Sequence, residues 1–186
     1  IDSFMDFFKN YFYEINKNLF DLDKKNLDNF VKILSSLKKK NKLIFVGNGG
    51  SASIANHCAT DFSKMLGKRS ITFNEPNLIT CLANDYGHDN WMKEALKIHA
   101  MPGDILILIS SSGKSKNILT CANQAKKMNI KLITFSGFNE NNKLKFSGDI
   151  NFWVNSKVYN RVETVHQTWL LSICDYLISK KKKTKN

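Results

Sequence analysis

No apolar run in this sequence approaches the roughly 20 residues that a membrane-spanning helix requires, which argues against a membrane protein. The first segment carries Asp2 and Asp6 where a secretory leader would be basic, and the chain begins at Ile1 rather than methionine, which leaves residues upstream open. Cysteine is sparse. Cys58, Cys81, Cys121 and Cys174 lie far apart, form no C-x-x-C pair and sit in apolar stretches where a reduced thiol packs as a small hydrophobe. A reducing compartment follows, and the cytoplasm is the expected location. Acidic residues are short as well, 16 against 28 basic ones, for a net charge of +12. Much of that excess has a local explanation. Lys180, Lys181, Lys182, Lys183 and Lys185 form a solvated tail, and Lys38, Lys39 and Lys40 stand at an expected helix end, where cations complement the helix dipole. Binding of small phosphorylated anions accounts for the remainder as well as nucleic acid does, so no nucleic-acid partner is expected.

What is present reads as an α/β protein. With 186 residues the chain fits one domain, and 42% hydrophobic and 24% charged residues exclude a disordered or fibrous chain. Short runs of Ile, Val, Leu and Phe at 42–46, 70–73, 104–109, 131–135 and 149–154 predict strands. Longer helical patterns at 51–66, 77–83, 88–99, 115–128 and 160–180 separate or follow them. This alternation predicts a three-layer sandwich, a five-stranded parallel sheet flanked by helices, with a pair of N-terminal helices over 4–37. The run Ile105-Leu106-Ile107-Leu108-Ile109 is apolar throughout, as a central strand buried on both faces should be. The expected organisation is residues 1–40 for packing and oligomerisation, 41–180 for the core and 181–186 as the basic tail. Phe4, Phe7, Phe8, Tyr11, Phe12 and Phe20 exceed what one helix on a small sheet needs, so part of that face is expected to meet another subunit.

Two loops carry the chemistry. Gly47-Asn48-Gly49-Gly50-Ser51 joins a strand directly to a helix, where glycines allow close backbone approach and the helix start offers N–H groups to an anion. It is neither the G-x-G-x-x-G dinucleotide fingerprint nor a Walker A loop. Ser110-Ser111-Ser112-Gly113-Lys114-Ser115 follows the apolar strand and forms a donor-rich cup of hydroxyls at the next helix start. Plain helix capping, by Ser51 and by the serine run, is the competing reading of both loops. Both leave the C-terminal ends of parallel strands, where ligands of open α/β sheets bind, and this favours a phosphate ligand.

These two loops, with Leu82-Ala83-Asn84-Asp85 between them, resemble the SIS-domain family and in particular its phosphoheptose isomerase branch. The resemblance implies that Asn48, Gly49, Gly50, Ser51, Ser110, Ser111, Ser112 and Ser115 hold a sugar phosphate, with Asn84 and Asp85 near the sugar. It implies an aldose–ketose isomerisation through an enediol, a cytoplasmic homotetramer and a place in heptose synthesis for lipopolysaccharide or capsule. The family's His-x-x-x-Glu pair is His57-x-x-x-Asp61 here, still on one helix face but with the acid shortened by one methylene. On the last helix, Glu163 stands where the family usually has glutamine, and Leu171 where it has a catalytic histidine. His166 lies about 140° around the helix from position 171 and cannot simply replace that imidazole.

Asp61, Glu163, His57 and His166 are therefore the candidate acid–base residues. Each has a plain alternative. Asn160-x-x-Glu163 reads as a capping box, His166 as a histidine packed beside Trp169, His57 as a partly buried helix histidine and Asp61 as a surface acid. Zinc is the one cofactor the resemblance brings in: His57, Asp61 and Glu163 would give three ligands and an open position. Because of Leu171, a non-catalytic sugar-phosphate sensor or interaction scaffold stands as the alternative function.

Overall fold

The computed structural model describes residues 3–183. In chain order the elements are α1 (Ser3–Phe20), α2 (Lys24–Ser36), β1 (Leu43–Gly47), α3 (Gly50–Lys64), β2 (Ser70–Thr72), α4 (Pro76–Tyr86), α5 (Trp91–His99), β3 (Ile105–Ser110), α6 (Lys116–Lys127), β4 (Lys131–Ser136), β5 (Ile150–Trp153) and α7 (Tyr159–Lys183). The strands form one five-stranded parallel sheet, as expected, and its order is β2-β1-β3-β4-β5.

Strand β3 sits in the middle, with Ile107 beside Phe45 on one side and Ile133 on the other, and all six of its residues are buried. Side chains alternate across a strand. Ile105, Ile107 and Ile109 join Phe45 in the layer covered by α2, α3 and α7, while Leu106 and Leu108 join Ile44 and Val46 under α4, α5 and α6. Each such buried side chain contributes roughly 1.5–3 kcal/mol. Ile107→Ala in this doubly covered strand would cost about 2–5 kcal/mol.

Below the sheet, Asp104 ties the start of β3 to the start of β1. Its carboxylate accepts from Lys42 Nζ at 2.5 Å, from Lys42 N at 2.9 Å and from Met101 N at 2.9 Å. Burial alone would raise this carboxyl, but the hydrogen bonds from Lys42, Met101 and Asn41 outweigh it and hold Asp104 below its ordinary value.

Several boundaries differ from expectation for local reasons. Helix α4 starts earlier because Glu75 accepts from Leu78 N at 2.8 Å and Pro76 fits the first turn. Its last turn includes Asn84 and Asp85. Gly87, at φ +79°, then turns the chain, so α5 begins at Trp91 rather than at residue 88. Cys81 is exposed on α4, unlike the other three cysteines, because only one face of that helix meets the core. Helix α7 runs through residues 181–183, so the expected tail starts as helix, and residues 184–186 lie outside the described residues.

Helix α1 packs its C-terminal half on α7, where Trp169 Nε1 donates to Leu19 O at 3.0 Å. Most of its aromatics do not join the core: Phe4, Phe7, Phe12 and Phe20 are 60–81% exposed. Among the described residues no helix is long and apolar enough to cross a membrane.

Candidate active site

Strand order places the site. From β1 the chain crosses outward to β2, whereas from β3 it proceeds the other way to β4 and β5, so the order reverses between β1 and β3. The loops leaving these two strands open a crevice at that switch point. Gly49 takes φ 52°, ψ −124°, a backbone conformation suited to glycine, and is itself the N-cap of α3. Ser51 lies buried inside the first turn, so the competing reading of it as the helix cap does not hold. Ser115 is the N-cap of α6 by its backbone, and its hydroxyl makes no capping bond. No side-chain oxygen caps the start of α3, which suits it to an anion, whereas in the first turn of α6 the Ile118 N–H is taken by Asn117 Oδ1 at 2.9 Å.

Asn48 of the first loop and Asn117, in the first turn of α6 just beyond the serine loop, exchange two amide hydrogen bonds, of 2.9 and 3.0 Å. The Asn48 side chain is thus anchored by Asn117 while it lines the small cavity formed with the serine loop. Ser110, Ser111, Ser112 and Ser115 line a small cavity with Ser51, Tyr159 and Glu163. The Ser111 hydroxyl is buried and has no well-formed hydrogen bond, the state expected of a donor awaiting a ligand.

A second cavity, of about 490 Å³, adjoins the first along α3 and α7 and is within the size of small-ligand clefts. His57, Gly50, Ser53, Asn160, Glu163 and Gln167 line it. Glu163 belongs to both cavities. Because α7 begins at Tyr159, Asn160 is already helical and its carbonyl accepts from Thr164 Oγ1 at 2.7 Å. The expected capping box does not form. Glu163 instead reaches across to Gly50 and Ser111: a Cβ built at Gly50 would collide with its carboxylate. Burial raises the Glu163 carboxyl above its ordinary value, opposed in part by the Ser111 hydroxyl facing it. His57 Nε2 lies 3.2 Å from Asp61 Oδ2, one turn further along α3, and Gln167 Nε2 lies 3.0 Å from His57 Nδ1.

Five expected residues do not line these cavities: Gly49, Asp61, which meets the cleft only through His57, and His166, Asn84 and Asp85. His166 is fully buried, its Nε2 donates to Ser136 O at 2.9 Å, and its ring packs on Phe135 and Trp169. Burial lowers it to about 4, partly offset by the Ser136 bond. The packed-histidine reading is the one that holds, since this face of α7 is turned to the sheet. Asn84 and Asp85 are exposed on α4, with Asn84 donating to Asp85 Oδ1 at 3.0 Å, and neither lines the cup or the cleft. A larger cavity of about 640 Å³ lies at the opposite edge of the sheet, but its acids are engaged, Asp104 with Lys42 and Asp149 with Lys131.

The SIS domain family matches residues 7–137, about 70% of the chain. The chain belongs to the SIS domain family. It is 31% identical to the phosphoheptose isomerase of Helicobacter pylori strain HPAG1 over 148 residues, 76% of this chain and 77% of that protein. It is 32% identical to the phosphoheptose isomerase of Buchnera aphidicola from Acyrthosiphon pisum strain Tuc7 over 163 residues, 82% and 83% of the two chains. The fold superposes on the Neisseria gonorrhoeae phosphoheptose isomerase GmhA with a TM-score of 0.85 at 22% identity, covering 94% of this chain and 96% of that one. It also superposes on the Vibrio vulnificus NanR protein complexed with ManNAc-6P, with a TM-score of 0.68 at 17% identity, covering 99% and 66%.

In this SIS domain the zinc set does not assemble. His57 Nε2 and Asp61 Oδ2 are close enough for two ligands of one cation, yet among the described residues no group of three His, Cys, Asp or Glu side chains could hold a metal. Both nitrogens of His57 already have partners, and Leu171 packs against the core. Three lining or supporting residues escaped the sequence reasoning. Gln167 lies four residues beyond Glu163 on the same helix face, a spacing that could have flagged it. Tyr159 and Asn117 carried no comparable signal, since their roles come from loops meeting in space.

Proposed function

We propose that this SIS domain isomerises a sugar phosphate between its aldose and ketose forms, with sedoheptulose 7-phosphate as substrate, in heptose synthesis for a surface glycan. The single observation that carries the reading is Glu163, a carboxyl of raised proton affinity at the junction of an anion-suited cup and a sugar-sized cleft. The serine hydroxyls and helix starts hold the phosphate, and the sugar carbons extend along α3 and α7. One carboxylate, Asp61 or Glu163, takes the proton from the carbon beside the carbonyl while a neighbouring acid protonates the carbonyl oxygen, giving the enediol. Return of the proton to the other carbon, with loss of the hydroxyl proton from the carbon first deprotonated, where the new carbonyl forms, completes the exchange. A carboxyl shifted toward neutrality serves as acid and as base better than an ordinary one. His57, bonded to Asp61, assists.

The curated phosphoheptose isomerases at 31–32% identity support this reading. The same reading includes a cytoplasmic homotetramer, with the exposed aromatic face of α1 at an interface. Light scattering at micromolar concentration checks the assembly, and a monomer would refute it. The deciding experiment incubates the protein with sedoheptulose 7-phosphate in deuterated water. Deuterium at C1 or C2 is the expected result, because exchange requires the enediol. Binding without exchange for any heptose, hexose or pentose phosphate would favour the sensor reading, to which the buried His166 and the apolar Leu171 lend support.

A further inference from the structure

His57 is the one imidazole lining the cleft, and each of its ring nitrogens meets a partner from a different helix. Asp61 lies on α3 with His57 itself; Gln167 comes from α7. The chemistry of the three groups fixes where the hydrogens go. An ionised carboxylate can only accept, so the Asp61 contact at 3.2 Å calls for a hydrogen on Nε2. A neutral imidazole has a single N–H, which leaves the lone pair on Nδ1. The Gln167 amide nitrogen, 3.0 Å away, donates to that lone pair. All three assignments agree with one another, and no other tautomer satisfies both contacts with the amide in this orientation.

We infer that Gln167 is a positioning residue: it holds His57 in the Nε2–H tautomer, with that N–H directed at Asp61. The inference rests on the isomerase reading of the cleft for its consequence in turnover, though not for its geometry. Such an anchor is needed because the His57 side chain is 47% exposed, and packing alone does not prevent the ring from rotating or exchanging tautomers. Gln167 is also well placed to act without touching the phosphate. It borders the cleft and not the cup. Its loss should therefore disturb proton transfer while leaving the anchor for the phosphate alone. The Asp61 carboxylate, held by the Nε2–H, is the group whose aim would suffer, and misplacement of a reacting group by about 1 Å can cost on the order of 10²-fold in rate.

The experiment pairs Gln167→Met, similar in length but without a donor, with Gln167→Asn, which keeps the amide one methylene short. In the full chain labelled with nitrogen-15, long-range proton–nitrogen spectra read the tautomer of His57, assigned with His57→Gln. The wild type should show a protonated Nε2 and an unprotonated Nδ1. Both Gln167 variants should move toward a mixture of tautomers, and with sedoheptulose 7-phosphate kcat should fall about 10-fold or more at unchanged KM. If either variant fails to fold, the other provides the same reading. A wild type already mixed in tautomer, or variants with an unchanged His57 signature and unchanged kcat, would overturn the inference. A tautomer change in the variants of a protein that catalyses no exchange would leave the positioning role standing and remove the isomerase reading instead.

Discussion

Glu163 and Gly50, from the last helix and the first helix of the sheet, approach so closely that no other residue at position 50 leaves the carboxylate where it is. Gly50 has no positive φ, so alanine is acceptable to the backbone there and the obstacle is the Glu163 side chain alone. Gly50→Ala should therefore fold normally but push the carboxylate aside, lowering kcat by about 10²-fold. Combined with Glu163→Gln, the second change should add little to the first. Steady-state kinetics of the two single variants and the double variant test this. Additive losses would show that Gly50 acts by another route.

Removing the buried hydroxyl of Ser111 should separate ligand binding from stability. Because that hydroxyl has no well-formed bond, Ser111→Ala should leave the melting temperature of the free protein unchanged or slightly raised. The stabilisation conferred by sulfate or a sugar phosphate should shrink, since linkage makes it follow the affinity. Thermal melts with and without millimolar ligand provide the check.

Asp61→Asn and Glu163→Gln should each cost roughly 10²-fold or more in turnover while sugar phosphate still binds. They should differ in stability. Burial disfavours the charged form of Glu163, so its folded carboxyl lies above the unfolded one. Wild type then carries a penalty at neutral pH that disappears as pH falls below about 4.5, the unfolded value. Glu163→Gln should accordingly raise the melting temperature at pH 7 and lose that advantage in acid.

His166 should make the fold sensitive to acid. Its folded value of about 4 lies below the ordinary 6.5, so between these pH values the unfolded chain takes up a proton that the native chain does not. Stability should fall as pH drops through that window, by on the order of 3 kcal/mol in all. In His166→Phe that slope should flatten. The Ser136 carbonyl would not be stranded, because it also accepts from Val154 N at 2.9 Å. Melting temperatures from pH 7 to pH 4 for both proteins decide the matter.

The sheet could be read from the sequence because β3 is apolar at every position, and the cup because its serines follow that strand directly. That His57 and Asp61 meet on one helix face was legible from their spacing, while their membership of a site came from the resemblance alone. The place of His166 was not legible. A histidine on a long helix gives no sign of whether its face meets the sheet or the cleft, and Glu163, three positions away and only about 60° around the helix, reaches the cleft. Asn48 shows a further limit: its place beside the glycines suggested the cavity it lines, but its partner Asn117 is 69 residues away, and a pairing of that kind has no local signature. The capping box at Asn160 failed because the helix starts two residues earlier than the motif requires.

The Asn48–Asn117 pair makes the two loops behave as one part. A phosphate arriving at the switch point meets an anchor whose ordering was completed when the protein folded, so little loop freedom remains to be lost on binding. The pair also divides the molecule's evolutionary freedom. Substitutions along α3 and α7 can alter which sugar fits, or whether it reacts at all, while the grip on the phosphate stays the same. A cleft built this way can thus change its chemistry without first having to relearn how to hold its substrate.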